Sequence, residues 1–73
     1  MEITPLALSW RYVPTSQCME TSMHERVYRI FEHEAGMHAL QRIDRKDHTR
    51  TIGRFPTMKE AIGMVIWDLN HSD

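Results

Sequence analysis

From Met58 onward, apolar residues return every three or four positions. Met58, Ala61, Ile62, Val65, Ile66 and Leu69 fall on one face at about 100° per residue. Thr57 precedes this stripe and Glu60 follows three positions later, the spacing of a capping box. Phe55-Pro56 closes the segment before it, because proline disfavours helix in the preceding residue. The pattern predicts an amphipathic helix over residues 58–69, despite the roughly 1 kcal/mol that Gly63 costs in its interior.

Upstream the period shortens to two. Residues 26–33 (RVYRIFEH) are rich in β-formers, residues 37–44 (MHALQRID) follow after Gly36, and residues 49–55 (TRTIGRF) follow a polar turn, with Gly53 suited to a bulge. Gly36 fits the left-handed position of a short hairpin loop. The fold class read from this order is α+β: a three-stranded antiparallel meander with a C-terminal helix packed on it. Residues 6–13 also alternate, with Leu6, Leu8, Trp10 and Tyr12 in step, until Pro14 ends the run. Residues 15–24 are polar, with Met19 and Met23 the only sizeable apolar groups. Residues 1–25 therefore read as an extended arm on a partly flexible tether, and residues 26–73 as the core domain. Val27 and Phe31 alternate with Tyr28 and Ile30, and Met37, Ala39 and Ile43 with Leu40, so apolar side chains occur on both sheet faces. One helix covers one face. The other is left for the arm, for a partner or for a second copy of the chain, which leaves the oligomeric state open.

A length of 73 residues holds one small core, burying about 60% of the surface of the unfolded chain. No stretch is apolar for long enough to span a membrane. An acid at Glu2 stands where a secretion signal carries bases, so no targeting segment is expected. Cys18 is the single cysteine, which excludes an internal disulfide and suits a reducing, cytoplasmic setting. The net charge of −1 is unevenly spread: residues 1–25 carry −2, residues 26–54 carry +3 and residues 55–73 carry −2. Seven of the nine bases are arginine, the side chain suited to planar, bidentate contacts.

The chain has no Gly-rich phosphate loop, nucleophile elbow, HExxH or Cys-x-x-Cys motif, so no catalytic set and no cofactor are expected. Cys18 with His24 forms a thiol–imidazole pair only on paper, since a thiol in a polar loop lacks the fixed orientation of a nucleophile. His33 and His38 approach each other across the first hairpin, but two imidazoles fall short of a zinc site, and no metal is expected. Arg29, Arg42, Arg45, Lys46, Arg50 and Arg54 form a basic strip. That strip suits an acidic protein surface better than nucleic acid, because its flanks are negative; a solvated face balanced by Glu32, Glu34, Asp44 and Asp47 is the plain alternative. Trp67 lies opposite the core stripe, where it serves an interface or is covered by the returning arm. The same choice applies to Leu8, Trp10 and Tyr12, which dock in a partner's groove or cover the chain's own sheet. The residues expected to bind a partner are Leu8, Trp10, Tyr12, Arg42, Arg45, Lys46, Arg50 and Trp67.

Two resemblances extend this reading. The stretch TIGRFPTMKEAIGMVIWDL (residues 51–69), a strand running into a Thr-capped helix, resembles the end of HicB-like antitoxins and double-stranded-RNA-binding domains. It implies a nucleic-acid-binding or repressor module using the basic strip. Chain size, a sheet-plus-helix core and the N-terminal arm at residues 6–13 are similar to those of small phage-encoded regulators of host RNA polymerase. That resemblance implies a non-catalytic protein of the host cytoplasm that binds the large subunits of bacterial RNA polymerase. It further implies inhibition of initiation and promotion of antitermination.

Overall fold

The computed structural model describes residues 2–32, 36–44 and 48–71. A single 3-10 turn, Pro5–Ala7, opens the chain, followed by β1 (Arg11–Val13), β2 (Cys18–Met23), β3 (Arg26–Glu32), β4 (His38–Ile43) and β5 (Thr49–Phe55). Helix α1 (Met58–His71) ends it. The strands form one antiparallel sheet in the order β1-β2-β3-β4-β5.

The α+β class and the C-terminal helix stand, but the sheet has five strands and not three. The two additional strands come from residues read as arm and tether. Met19, Thr21 and Met23 share one side of β2, so the segment carries a period-two pattern diluted by polar neighbours. Its six residues pair with β3 from Cys18↔Phe31 to Met23↔Arg26. The hairpin between them turns on His24 and Glu25, with φ of 54° and 63°. Two consecutive left-handed residues are the geometry of a tight hairpin whose twist matches the strands. Gly36 takes φ 75° before β4, as a glycine readily does. Between β4 and β5 the register moves from Leu40↔Gly53 to Gln41↔Thr51, which leaves Ile52 as an extra residue beside Gly53.

Helix α1 starts as its sequence predicts. The Glu60 backbone N–H donates to Thr57 Oγ1 at 3.2 Å, and the Thr57 hydroxyl donates to Glu60 Oε2 at 3.1 Å. Ala61, Val65 and Leu69 are buried against Tyr28, Ile30 and Leu40 of the sheet, and Met58, Ile62 and Ile66 pack around them. The residues preceding β1 join this side. Leu8 is 8% exposed within the same core, with Ile3 and Trp10 against it. The Ile3 N–H donates to Asn70 Oδ1 at 2.8 Å and Asn70 Nδ2 donates to the Ile3 carbonyl at 3.0 Å, tying the start of the chain to the last helical turn. The Thr21 hydroxyl donates to the Ser9 carbonyl at 2.7 Å. The N-terminal segment is part of the fold.

Candidate functional site

With period-two alternation, the position of α1 decides what the sheet presents on each side. Tyr28, Ile30 and Leu40 face the helix; Val27, Arg29, Phe31, Ala39, Gln41 and Ile43 face away. Helix α1 lies mainly over β3, β4 and β5, and the N-terminal segment packs against the same core. An open apolar groove of about 220 Å³ is lined by Trp10, Met19, Met58 and Ile62. Tyr12, the cross-strand neighbour of Met19, is 59% exposed. Trp67 is 56% exposed elsewhere on the helix, its ring stacked on His71 with centroids 4.5 Å apart.

The predicted partner-binding residues separate into distinct places. Trp10 lines the groove and Tyr12 pairs across the strands with the groove's Met19, while Trp67 remains exposed and is not covered by the N-terminal segment. Leu8 is withdrawn into the core, because burying its side chain against the α1 layer is worth more than leaving it in water. Arg42 is also withdrawn. Its Nη1 donates to Asp68 Oδ1 and Oδ2 at 3.0 and 2.9 Å, and its Nε lies 3.0 Å from Asp44. Hydrogen bonding to Asp68 raises the Arg42 pKa further above its ordinary value, so this guanidinium is a fixed clamp between sheet and helix. Arg50 is exposed, and Arg45 and Lys46 lie outside the described residues. His33, of the pair weighed as metal ligands, lies outside them too; among the described residues no cluster of three or more His, Cys, Asp or Glu could hold a metal.

The basic strip is not one surface. Arg42 and Arg50 pair across β4 and β5 on the helix side, whereas Arg29 and Arg54 lie on the opposite face. Arg29 is shared with a carboxylate: Arg29 Nε donates to Glu20 Oε2 at 2.7 Å, and Arg11 Nη2 donates to Glu20 Oε1 at 2.7 Å. Bonding to Arg11 and then to Arg29 holds the Glu20 carboxyl below the usual carboxylate range. Cys18 lies in β2 and not in a loop. It is buried, and burial pushes its thiol up, away from the thiolate that nucleophilic chemistry needs.

Two features were missed in the sequence. Met19 was visible as the partner of Thr21 and Met23 at period two. Asp68 had no such signal, since its contacts with Tyr28 and Arg42 join residues 40 and 26 positions apart. No helix among the described residues is long and apolar enough to cross a membrane. Comparison with known proteins finds no family model that matches the chain, no similar curated protein and no matching solved structure.

Proposed function

We propose that this protein acts by binding another protein, and that its target is bacterial RNA polymerase, whose initiation it inhibits and whose antitermination it promotes. The observation that carries the binding reading is the apolar groove of Trp10, Met19, Met58 and Ile62, with the exposed Tyr12 paired across the strands with Met19. Aromatic anchors beside methionine-lined apolar surface are the composition of adaptable protein interfaces. The polymerase as target rests on the resemblance in chain size and in the sheet-plus-helix core. The separate arm no longer contributes to that resemblance, because residues 11–13 and 18–23 are strands of the sheet.

The nucleic-acid alternative is weaker on this geometry. Its strip is divided between two faces, and on the helix side Arg42 is engaged with Asp68. A phosphate-binding surface needs several free cations tracking one backbone.

The test is an affinity capture from nuclease-treated bacterial lysate with the intact chain and the variants Tyr12→Ala and Trp67→Ala. Deleting the first 14 residues would remove Leu8 from the core and β1 from the sheet, so point changes at exposed rings separate binding from folding. The wild type is expected to retain the polymerase large subunits and Tyr12→Ala to lose most of them, with unchanged circular dichroism. Retention of a different protein moves the target. Binding only when nucleic acid is left intact overturns the reading.

A further inference from the structure

The face of the sheet turned away from α1 is built as three rows that run across the strands. One end row is Val13, Cys18, Phe31, Ala39 and Arg54; the middle row is Arg11, Glu20, Arg29, Gln41 and Thr51; the other end row is Ser22, Val27, Ile43 and Thr49. Val27, Phe31 and Ile43 are half-buried although no described element packs over them, since α1 and the N-terminal segment lie on the opposite side. Apolar groups at both ends thus flank a charged centre.

We infer that this open face docks an acidic, amphipathic segment of a protein partner, whose carboxylates meet Arg11, Arg29 and Arg54 and whose apolar side chains meet Val27, Phe31 and Ile43. The inference rests on the protein-binding reading and adds to it a second surface and the chemistry of what fits there.

Charge decides the partner's sign. Glu20 is the one carboxylate among the described residues of this face, and it is buried and consumed by two arginines. The charges left in contact with water are Arg11, with 76% of its side chain exposed, Arg29 and the exposed Arg54. Arg54 makes no ion pair with any described residue, and Arg29 uses only its Nε, which leaves both Nη groups as donors. An arginine tied at Nε is held in place while its outer edge stays open, the arrangement that receives a carboxylate with two parallel hydrogen bonds.

The same features disfavour other occupants. A second copy would bring like charges together. Strands about 4.8 Å apart and rows about 6.7 Å apart give a patch of roughly 400 Å² with side-chain width included. That is about half of the ~800 Å² per partner in a standard interface. Single-stranded nucleic acid needs successive aromatic platforms for its bases. Phe31 is the one ring on the described part of this face, and its companions are aliphatic.

The experiment is an NMR titration of the full ¹⁵N-labelled chain. The probe is a helical peptide of about five turns, with a leucine stripe flanked by glutamates, and the control peptide replaces every glutamate with lysine. Amide shifts are expected at Val27, Arg29, Phe31 and Ile43 with the acidic peptide alone, at Kd on the order of 0.1–1 mM as befits a small interface. Binding should weaken several-fold between about 50 and 200 mM salt. Arg54→Glu and Thr51→Glu, both at exposed positions, should each weaken binding about tenfold while the rest of the spectrum is unchanged. Shifts confined to Trp10, Met19 and Ile62, equal binding of the lysine peptide, or no shifts overturn the inference. So does stronger binding of a short uridine-rich RNA, or a dilution-dependent spectrum that marks a second copy. Capture of a lysate protein equally by the wild type and Arg54→Glu rejects this face while protein binding stands. If the wild type captures nothing, both readings fall.

Discussion

Replacing Asp68 with alanine removes the carboxylate that, among the described residues, joins helix α1 to both β3 and β4. The Tyr28 hydroxyl, on a residue with no exposed surface, donates to Asp68 Oδ2 at 2.5 Å. Arg42 Nη1 reaches both carboxylate oxygens, and Arg26 lies 3.9 Å away. The Arg42 and Asp68 side chains are only 13% and 14% exposed, so solvent screens them less than a surface pair. A hydrogen bond to a charged group contributes about 1.5–3 kcal/mol. Tyr28→Phe should therefore cost about 2 kcal/mol. Asp68→Ala should cost about 3 kcal/mol, because it also strands the Tyr28 hydroxyl and leaves Arg42 with Asp44. Against a total stability of roughly 4–11 kcal/mol for a chain of this length, the second change is severe. Urea unfolding followed by circular dichroism measures both, and the double variant completes the cycle. A coupling of about 1.5 kcal/mol is expected. If Tyr28→Phe costs under about 0.5 kcal/mol and the two changes add within about 0.5 kcal/mol, the network does not hold the helix and Arg42 is free for other partners.

Three further predictions follow from individual side chains. The carboxyl of Glu20 is depressed in the folded protein, so its contribution is fully present above the unfolded value near 4.5 and is lost as pH falls through the folded value. Glu20→Gln should flatten the acid limb of stability against pH, and an unchanged limb would show that the Arg11–Glu20–Arg29 row contributes nothing. Cys18 is buried with a raised thiol pKa, so a thiol reagent should label it only as fast as the chain opens, and immediate labelling under native conditions would contradict its burial. At Gly63 an added Cβ meets nothing within 4 Å, so Gly63→Ala should raise stability by about 0.8 kcal/mol and Tm by several degrees. A lowered Tm would refute it.

The parts of the fold that were legible in the sequence are those with local signals. Helix α1 carries its cap at Thr57 and Glu60 and its stripe from Met58 to Leu69, all within a few turns. The spans of β3, β4 and β5 follow from β-forming residues and Gly36. Strand β2 escaped because its turn, His24–Glu25, has no glycine or asparagine to announce two positive φ angles. Pairing along six residues with β3 imposes a turn that local propensity does not favour. Away from the groove, Trp67 was legible as an exposed ring from its place opposite the stripe. Trp10 and Tyr12 were picked out, but the groove that Trp10 lines needs Met19 of β2 and Met58 and Ile62 of α1 to exist.

By itself, then, the sequence determined the helix, three of the strands and the fact that apolar residues occur on both sides of the sheet. Only the tertiary structure decided which side the helix takes. Period-two alternation defines two faces without ranking them, and here Val27, Phe31 and Ile43 rival Tyr28, Ile30 and Leu40 in apolar character. The choice lies in contacts between distant residues: Tyr28 and Arg42 find Asp68, Ile3 finds Asn70, and Leu8 closes the core beside Leu69. With the helix placed there, Arg42 becomes a clamp, and Arg11, Arg29 and Arg54 are left facing water, because a carboxylate presented by one helix serves only the face on which that helix lies.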